Sequence, residues 1–567
     1  SALDPERVPR FRDRELSPEG LGSMAEQALA GDAAAGDWLG EKDESDKSSS
    51  SEDITVNVDP EGIQERITVI PAAASNYWSL AAVKGGIYYN QRSFNHKKSN
   101  LKYFDLEEEE EKTLGNKMGF SISDNGKKML VRQGKKYAVI DLPKSTIKIE
   151  DAIDLSQMKI LVDKRKEWVQ IFEESWRQMR DFFYDPGMHG VDWQEIHDKY
   201  RPLVDHARHR HDLNYIIGEM IGELNVGHAY ANGGDLPEVE KIYTGLLGAE
   251  FEKDKSGYFR ITKLLKGENW RKNLRSPLTE IGVNLEEGDF IMAINGQHLD
   301  NVDNIYKALL NKAGKPVELL VGQKPKPKEG RIVLVEPIKD EADLYYFNWV
   351  RKNIERVNEA TNGQVGYIHV PNMVSEGLNE FVKYFYPQLN KKALIIDDRG
   401  NGGGNVSPML IERLKREMTR SNMARNAEIP GQTPGQMLRG PKVLLVNQYS
   451  ASDGDLFPYA FKKHNMGTVI GVRTWGGVVG IRGSLPFIDG ADLRKPEYAS
   501  YHSDKSDWII EGYGVDPDIV VHNDPATEFA GKDQQLEKAI EVILKQLDEY
   551  KEIPDIPDFP DKSGKDQ

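Results

Sequence analysis

Val443-Leu444-Leu445-Val446-Asn447 runs through Gln448 and Tyr449 into Ser450-Ala451-Ser452-Asp453-Gly454-Asp455, and a helical stretch follows to about 464. Four consecutive apolar residues between polar flanks read as a strand buried on both faces, the habit of a parallel sheet. A tight turn from such a strand into a helix lifts a serine hydroxyl clear of the sheet. It also aims the N–H groups of the first helical turn at whatever that serine attacks. The sequence is not G-x-S-x-G, so the likeness is to the geometry rather than to the motif. Ser450, Ser452 or Asp453 serving only as a helix cap stays open.

A second strand of the same kind lies upstream. Leu394-Ile395-Ile396-Asp397-Asp398-Arg399 leads into Gly400-Asn401-Gly402-Gly403-Gly404-Asn405. Glycine lets backbone N–H groups approach a ligand closely. Phosphate cradling is the rival use, but no Lys-Ser/Thr follows and the glycines do not fit G-x-G-x-x-G. An oxyanion hole or a cradle for a peptide backbone fits better. Apolar strands at 365–370, 393–396, 443–446 and 468–472 alternate with helices near 409–418 and 455–464. That alternation predicts an α/β core with a mainly parallel sheet over 340–550. Its last helix carries Leu536, Ile540, Ile543, Leu544 and Leu547 on one face, and Pro554, Pro557 and Pro560 make 551–567 an extended tail.

Three further modules precede the core. Residues 241–336 read as a compact β-rich domain that opens with Gly245-Leu246-Leu247-Gly248. Within it Phe290-Ile291-Met292-Ala293-Ile294 ends in an Asn295-Gly296 hairpin, with a helix at 302–311 and a closing strand at 317–321. The ordered set resembles a PDZ domain, whose glycine loop offers N–H groups to a peptide carboxylate beside an exposed strand edge. Another small β domain is the alternative. Residues 160–240 read as helical, with Trp168, Ile171, Phe172, Ser175, Trp176, Met179, Phe182 and Phe183 on one stripe. His206, His209 and His211 lie in this part, but no carboxylate sits at a useful helical spacing and no H-E-x-x-H occurs, so no metal site is expected.

From 54 to 150 period-2 runs alternate with Gly and Asn turns, as in Phe120–Val131 and 136–142, the look of β-propeller blades. About two blades are too few to close a propeller, so the chain is expected to begin inside a longer protein. Residues 1–53, small, acidic and Ser-rich, read as linker or disorder.

A serine needs a base and the base needs an orienting group. Leu224-Asn225-Val226-Gly227-His228-Ala229-Tyr230 places one histidine in an apolar–glycine turn, and Glu511 sits between the apolar Trp508-Ile509-Ile510 and Gly512. Neither is diagnostic alone; a structural histidine is the bland reading.

Composition bounds the rest. The chain has 567 residues, enough for several domains, and 38% of them are hydrophobic. No apolar stretch is long enough to span a bilayer, and no signal-peptide pattern is present in the sequence. With no Cys there can be no disulfide framework, Cys-ligated metal or thiol nucleophile, and a net charge of −16 argues against nucleic acid as a partner.

Taken in order, the helical domain, Gly227-His228-Ala229-Tyr230, the PDZ-like module, the Asp397–Gly404 loop, the Ser450–Asp455 turn, Thr474-Trp475-Gly476-Gly477-Val478-Val479-Gly480 and Glu511–Asp518 resemble the C-terminal half of the tricorn protease family. Asp181–Trp193 is also similar to that family's helical domain. The resemblance implies a multidomain α+β chain: propeller fragment, helical domain, PDZ-like module and a ClpP/crotonase-like α/β serine peptidase core of the S41 type. It implies Ser452 as nucleophile, His228 as base, Glu511 as orienting acid, and the N–H groups of Asp453 and of Gly403 or Gly404 as oxyanion hole. It further implies peptide substrates, no cofactor, a homo-oligomer (hexameric in the family) and a cytoplasmic setting, with periplasmic export as the alternative. One departure stands out: the family pattern has a serine before the histidine, and this chain has Gly227. The related tail-specific proteases use a Ser–Lys dyad, but 474–478 holds no lysine, and Lys462 and Lys463 come too early. A non-catalytic PDZ-based peptide-binding scaffold is the other alternative.

Overall fold

Along Lys128–Gln133 the residues are alternately exposed and buried, with Met129 and Val131 inside and Leu130 outside, as a half-buried strand requires. This strand is the centre of a three-stranded antiparallel sheet with Met118–Ile122 and Lys136–Asp141. A four-stranded antiparallel meander precedes it: Asn76–Val83, Gly86–Arg92, Asn100–Asp105 and Glu110–Asn116. Tyr88, Leu101, Tyr103, Leu114, Met118, Met129 and Val131 form the core of this part, so the two sheets pack on one another. The computed structural model describes residues 61–560 apart from 63–66, 68, 93–98, 429, 484 and 552–555. The expected linker over 1–53 and strand at 54–58 lie outside the described residues, as do parts of the expected strand at 66–70 and of the tail. Residues 1–159 and 160–567 form two units.

In the second unit five parallel strands run in chain order through one sheet: Val365–His369, Ala393–Asp397, Lys442–Val446, Thr468–Gly471 and Ile519–Val520. The first three are buried at every position, because helices cover both faces. Phe381, Phe385, Leu410, Phe457 and Phe461 pack on one face, and Val357, Leu536, Ala539 and Ile543 on the other.

The β-rich module is an antiparallel sheet in the order Arg331–Val335, Val317–Gly322, Phe290–Ile294, Phe259–Leu264, Ala249–Lys253, with Gln297–His298 hairpinned onto Phe290–Ile294. The expected helix at 302–311 is shorter, a 3-10 segment at Ile305–Leu309 that opens on the Asn304 side chain, which accepts the Tyr306 N–H at 2.9 Å.

Three helices, Lys164–Phe182, Trp193–Val204 and Arg210–Gly222, make the helical part. Asp163 and Asp192 cap the first two through their side chains, and His209 caps the third by accepting the Asp212 N–H at 3.3 Å. The helical core is not made by helices alone. Phe487, Ala491 and Leu493, from the Gly480–Arg482/Asp492–Tyr498 hairpin, are buried within it, and Asp492–Tyr498 also pairs with Tyr230–Asn232. Arg210 closes the contact. Its guanidinium Nε lies 2.7 Å from Asp489 Oδ2 with both side chains almost wholly buried, and Nη1 reaches Asn214 Oδ1 at 2.6 Å. Burial alone would raise the Asp489 carboxyl, but the arginine together with the Ala491 and Asp235 N–H groups outweighs it and holds it below the ordinary carboxylate range. Among the described residues no helix is long and apolar enough to cross a membrane.

Breaking this pair strands a buried charge, which typically costs about 3–5 kcal/mol, whereas replacing both partners by apolar groups does not. Asp489→Ala is expected to lower the melting temperature of the full chain by several degrees, and Arg210→Met/Asp489→Leu to recover part of the loss, as read by calorimetry.

Candidate active site

The strand Lys442–Val446 leads through the exposed Gln448 and Tyr449 to the buried Ser450, and the helix Asp453–Lys463 begins directly after Ser452. Ser452 itself has φ 60° and ψ −117°. Such a conformation is costly for a residue with a side chain and persists only where the surroundings enforce it. Here three contacts do. The Ser452 N–H donates to Asp455 Oδ2 at 2.7 Å, and the other Asp455 oxygen accepts the Gly476 N–H at 2.8 Å. Burial raises the Asp455 carboxyl to about 6, against the pull of its hydrogen bonds. The Ala451 N–H donates to the Asn401 carbonyl at 2.8 Å. Ser450 is fully buried and its hydroxyl donates to the Asp398 carbonyl at 2.8 Å, so it braces the turn and presents nothing to solvent.

The glycine loop comes to meet this elbow. A methyl group on Gly403 would fall 2.6 Å from Ser452 Cβ and 3.1 Å from Asp453 N, and φ there is +87°. Only glycine permits that approach. The loop's shape is set by Asn401, fully buried, whose Nδ2 donates to the Val370 carbonyl and Asp398 Oδ1 and whose Oδ1 accepts the Gly403 N–H at 2.9 Å. Since the Gly403 N–H is committed to Asn401, Asp453 and Gly404 supply the candidate donors. The Asp453 carboxylate points away from the elbow, accepting the Ser407 N–H at 2.9 Å and the Ser407 hydroxyl.

His228 packs against residues 474–479. Its ring packs edge-on against Trp475, centroids 5.1 Å apart, and the Trp475 N–H donates to the Ser450 carbonyl at 3.0 Å. The imidazole and the elbow therefore share one strap of chain. The His228 pKa is lowered by burial, partly offset by the charge of Glu511. Glu511 does not hydrogen-bond the imidazole. Its carboxylate accepts the N–H groups of Gly227 at 3.0 Å, Val478 at 2.6 Å and Val479 at 3.0 Å. The partner of His228 Nδ1 is instead the Tyr230 hydroxyl at 2.8 Å. No hydrogen bond joins Ser452 Oγ to His228 among the described residues.

The two lysines of the rival dyad are placed at the far end of the helix. Lys462 binds the Asp516 carbonyl and Asp518, and Lys463 binds Ser503 and Asp504. Ten residues of helix set Lys462 roughly 15 Å along the axis from Ser452.

The expected carboxylate loop of the β-rich module is already filled by the chain. Leu246 and Ile338 exchange backbone hydrogen bonds at 2.7 and 2.9 Å, the Gly245 N–H donates to the Leu309 carbonyl, and the Gly248 N–H donates to Glu341 Oε1 at 2.6 Å. Leu247 is wholly buried. Burial raises the Glu341 carboxyl, opposed by the Gly248 and Ala249 N–H groups.

Of the residues sequence reasoning singled out, Ser452, Asp453, Gly403 and Gly404 meet at the elbow, and His228 and Glu511 share the strap. It passed over Tyr230, Trp475, Asp455 and Asn401 as functional groups. Tyr230 carried a signal, two residues beyond His228 at the entry to an extended strand, where alternate side chains share a face.

Three protein families match parts of the chain. Residues 164–222 match the tricorn protease C1 domain, 245–340 the tricorn protease PDZ domain and 364–521 peptidase family S41. The chain is 34% identical to tricorn protease homolog 1 of Streptomyces coelicolor over 519 residues, covering 87% of this chain and 48% of that protein. It is 36% identical to the tricorn protease homolog of Saccharolobus solfataricus over 508 residues, covering 87% and 46%. The crystal structure of the tricorn protease superposes with a TM-score of 0.76 at 29% identity, covering 83% of this chain and 47% of that one. The chain thus spans about half the length of the curated relatives it matches.

Gly227 leaves no room for the serine that the resemblance calls for. A Cβ there would lie 2.8 Å from Gly477 Cα and 3.3 Å from Glu511 Oε1. Gly227→Ser is expected to destabilise the chain by about 1–3 kcal/mol through overpacking, read by denaturant unfolding, without raising the reactivity of Ser452.

Proposed function

From the matches of residues 164–222 and 245–340 to tricorn protease domains and of residues 364–521 to peptidase family S41, we propose that this chain is a serine peptidase acting on oligopeptides. The observation that carries the proposal is the elbow. Ser452 is held at positive φ on a helix N-terminus, with a glycine loop pressed against it and an imidazole on the adjoining strap.

In this reading His228 Nε2 approaches Ser452 Oγ as the substrate binds and takes its proton as the hydroxyl attacks the scissile carbonyl. Catalytic hydrogen bonds of this kind often close only in the substrate complex. The tetrahedral oxyanion is met by the Asp453 and Gly404 N–H groups; losing one such donor typically costs about 2.7–4 kcal/mol. His228 then delivers the proton to the leaving amine, and water repeats the sequence on the acyl-enzyme. Glu511 acts at one remove: by binding Gly227, Val478 and Val479 it fixes the backbone on which the imidazole rides, and its charge partly restores the basicity that burial removes. The core fits a ClpP/crotonase-like α/β architecture, and the two sheets of the first unit fit propeller blades. A homo-oligomer, hexameric as in the resembling family, and a cytoplasmic setting belong to the same reading.

Two alternatives lose ground. The lysines of a Ser–Lys dyad lie a helix length away with acidic partners of their own. A PDZ-based scaffold has Gly227 in its favour, but its carboxylate loop is occupied by residues 338–341.

A fluorophosphonate probe is expected to label Ser452 in the full chain. Ser452→Ala and His228→Ala should each reduce labelling and oligopeptide hydrolysis at least about 10³-fold, while Lys462→Ala changes neither by more than about threefold. Because burial lowers His228, the rate should rise with pH along a limb whose midpoint lies below the ordinary imidazole value of about 6.5. Labelling that survives His228→Ala but not Lys462→Ala refutes the assignment.

A further inference from the structure

We infer that Tyr230 is the positioning residue of the candidate base: its hydroxyl accepts the His228 Nδ1–H bond and so selects the tautomer that leaves Nε2 unprotonated for Ser452. The inference rests on the peptidase reading and deepens it. Three observations carry it.

The first is the hydrogen bond itself. At 2.8 Å the Tyr230 hydroxyl is the group that His228 Nδ1 meets, and the rings lie 5.8 Å apart at 59°. A neutral imidazole carries one N–H, and its position is set by the bond the other nitrogen makes. With Nδ1–H donating to a phenol oxygen, the lone pair at Nε2 is free to accept a serine proton.

The second is that Glu511 is occupied elsewhere. Both carboxylate oxygens accept backbone N–H groups, one from Gly227 and two from Val478 and Val479, and the close approach of Gly227 to Gly477 leaves no side chain that could relay between Glu511 and the ring. The position usually filled by an acid is taken by a phenol.

The third is that the Tyr230 backbone is paired in a sheet and its hydroxyl stays protonated. It sits in the strand Tyr230–Asn232, paired with Arg494, and burial raises its hydroxyl pKa above the ordinary tyrosine value. The Trp475 ring also packs edge-on against the imidazole, held in turn against Gly477, where a methyl group would fall 2.2 Å from the indole. The ring is gripped between a hydroxyl and an aromatic edge. The titratable groups near His228 are Tyr230, two residues along the chain, and Glu511; Asp455 is reached only through Gly476.

A phenol oxygen binds an imidazolium N–H more strongly than a neutral one, because the bond is then charge-assisted. Tyr230→Phe therefore lowers the His228 pKa as well as loosening the ring. The test uses the full chain, wild type and Tyr230→Phe, with two readouts. Fluorophosphonate labelling and oligopeptide turnover are expected to fall roughly tenfold to hundredfold in kcat with KM nearly unchanged, and the acid limb of the pH profile to move down by about half a unit. Independently of activity, diethylpyrocarbonate modification of His228 followed by peptide mass mapping from pH 5 to 8 reads its titration directly. It is expected to show the same downward shift, with modification of the capped His209 unchanged as a check on the fold. Wild-type rates and an unmoved His228 titration in Tyr230→Phe overturn the inference, as does a faster variant, which would mean that the phenol donates to Nδ1 and holds the wrong tautomer. If wild-type Ser452 takes no label at all, the peptidase reading fails, while the diethylpyrocarbonate titration still decides whether Tyr230 governs His228.

Discussion

The Glu511 carboxylate accepts three backbone N–H groups from two segments that are more than two hundred residues apart in the chain, Gly227 on one side and Val478 and Val479 on the other. An ionised acceptor with several N–H donors is among the stronger polar arrangements a protein can make, at roughly 1.5–3 kcal/mol per charge-assisted bond. Gly227 precedes the histidine, and residues 474–479 carry the indole against which the histidine packs. One acid thus fixes both the backbone that bears the imidazole and the surface that confines it. The absence of a side chain at 227 follows from the same contact, since the two backbones approach too closely to admit a Cβ.

The elbow is fixed by a different network, reached from the sheet. Asp397 accepts the Tyr367 hydroxyl and pairs with Arg399, whose other nitrogens reach Asp533 at the start of the last helix. Asp398, one residue on, is fully buried and its carboxyl is pushed well above the ordinary range by burial and by the neighbouring Asp397 charge. It keeps Asn401 in place. Asn401 then shapes the glycine loop and takes the Ala451 N–H. Two consecutive aspartates therefore do different things: one is bonded to arginine, the other held toward its neutral form and bonded to an amide. The buried ion pair is weak evidence for stability as such, but it joins the last helix to the strand that leads into the loop. Asp455 links this network to the strap through Gly476, so the Glu511 system and the elbow are mechanically one piece.

What the sequence made legible and what it hid divide along contact range. The buried parallel strands, the Ser452 elbow and the glycine loop are local patterns: apolar runs, a strand-to-helix turn, a cluster of residues free to adopt positive φ. Each could be read from fewer than fifteen consecutive residues. The partnership of the 480–498 hairpin with the helical core was not legible. Phe487, Ala491 and Leu493 carry no mark saying that they bury against helices more than 260 positions earlier, and neither Arg210 nor Asp489 looks unlike a surface charge until burial is known. The β-rich module shows the same limit in reverse. Gly245-Leu246-Leu247-Gly248 has the composition of an open carboxylate loop, and only the path of the chain after Val335 brings Ile338 and Glu341 back to close it.

The orienting group of the histidine is the case in which an expected pattern drew attention from a nearer partner. A triad leads one to seek an acid, and Glu511 is in the right neighbourhood, close enough for its charge to act on the imidazole. Yet a carboxylate that already accepts three N–H groups has little directional capacity left for a fourth donor. The hydroxyl two residues along the chain, at the start of the strand Tyr230–Asn232, meets the ring without crossing between segments. A contact fixed by backbone geometry costs less conformational entropy to maintain than one assembled from distant loops. In the proposed mechanism the two groups divide what an acid alone does in a Ser-His-Asp arrangement: the phenol sets direction and tautomer, and the carboxylate, acting through space and through the backbone, supplies the negative charge.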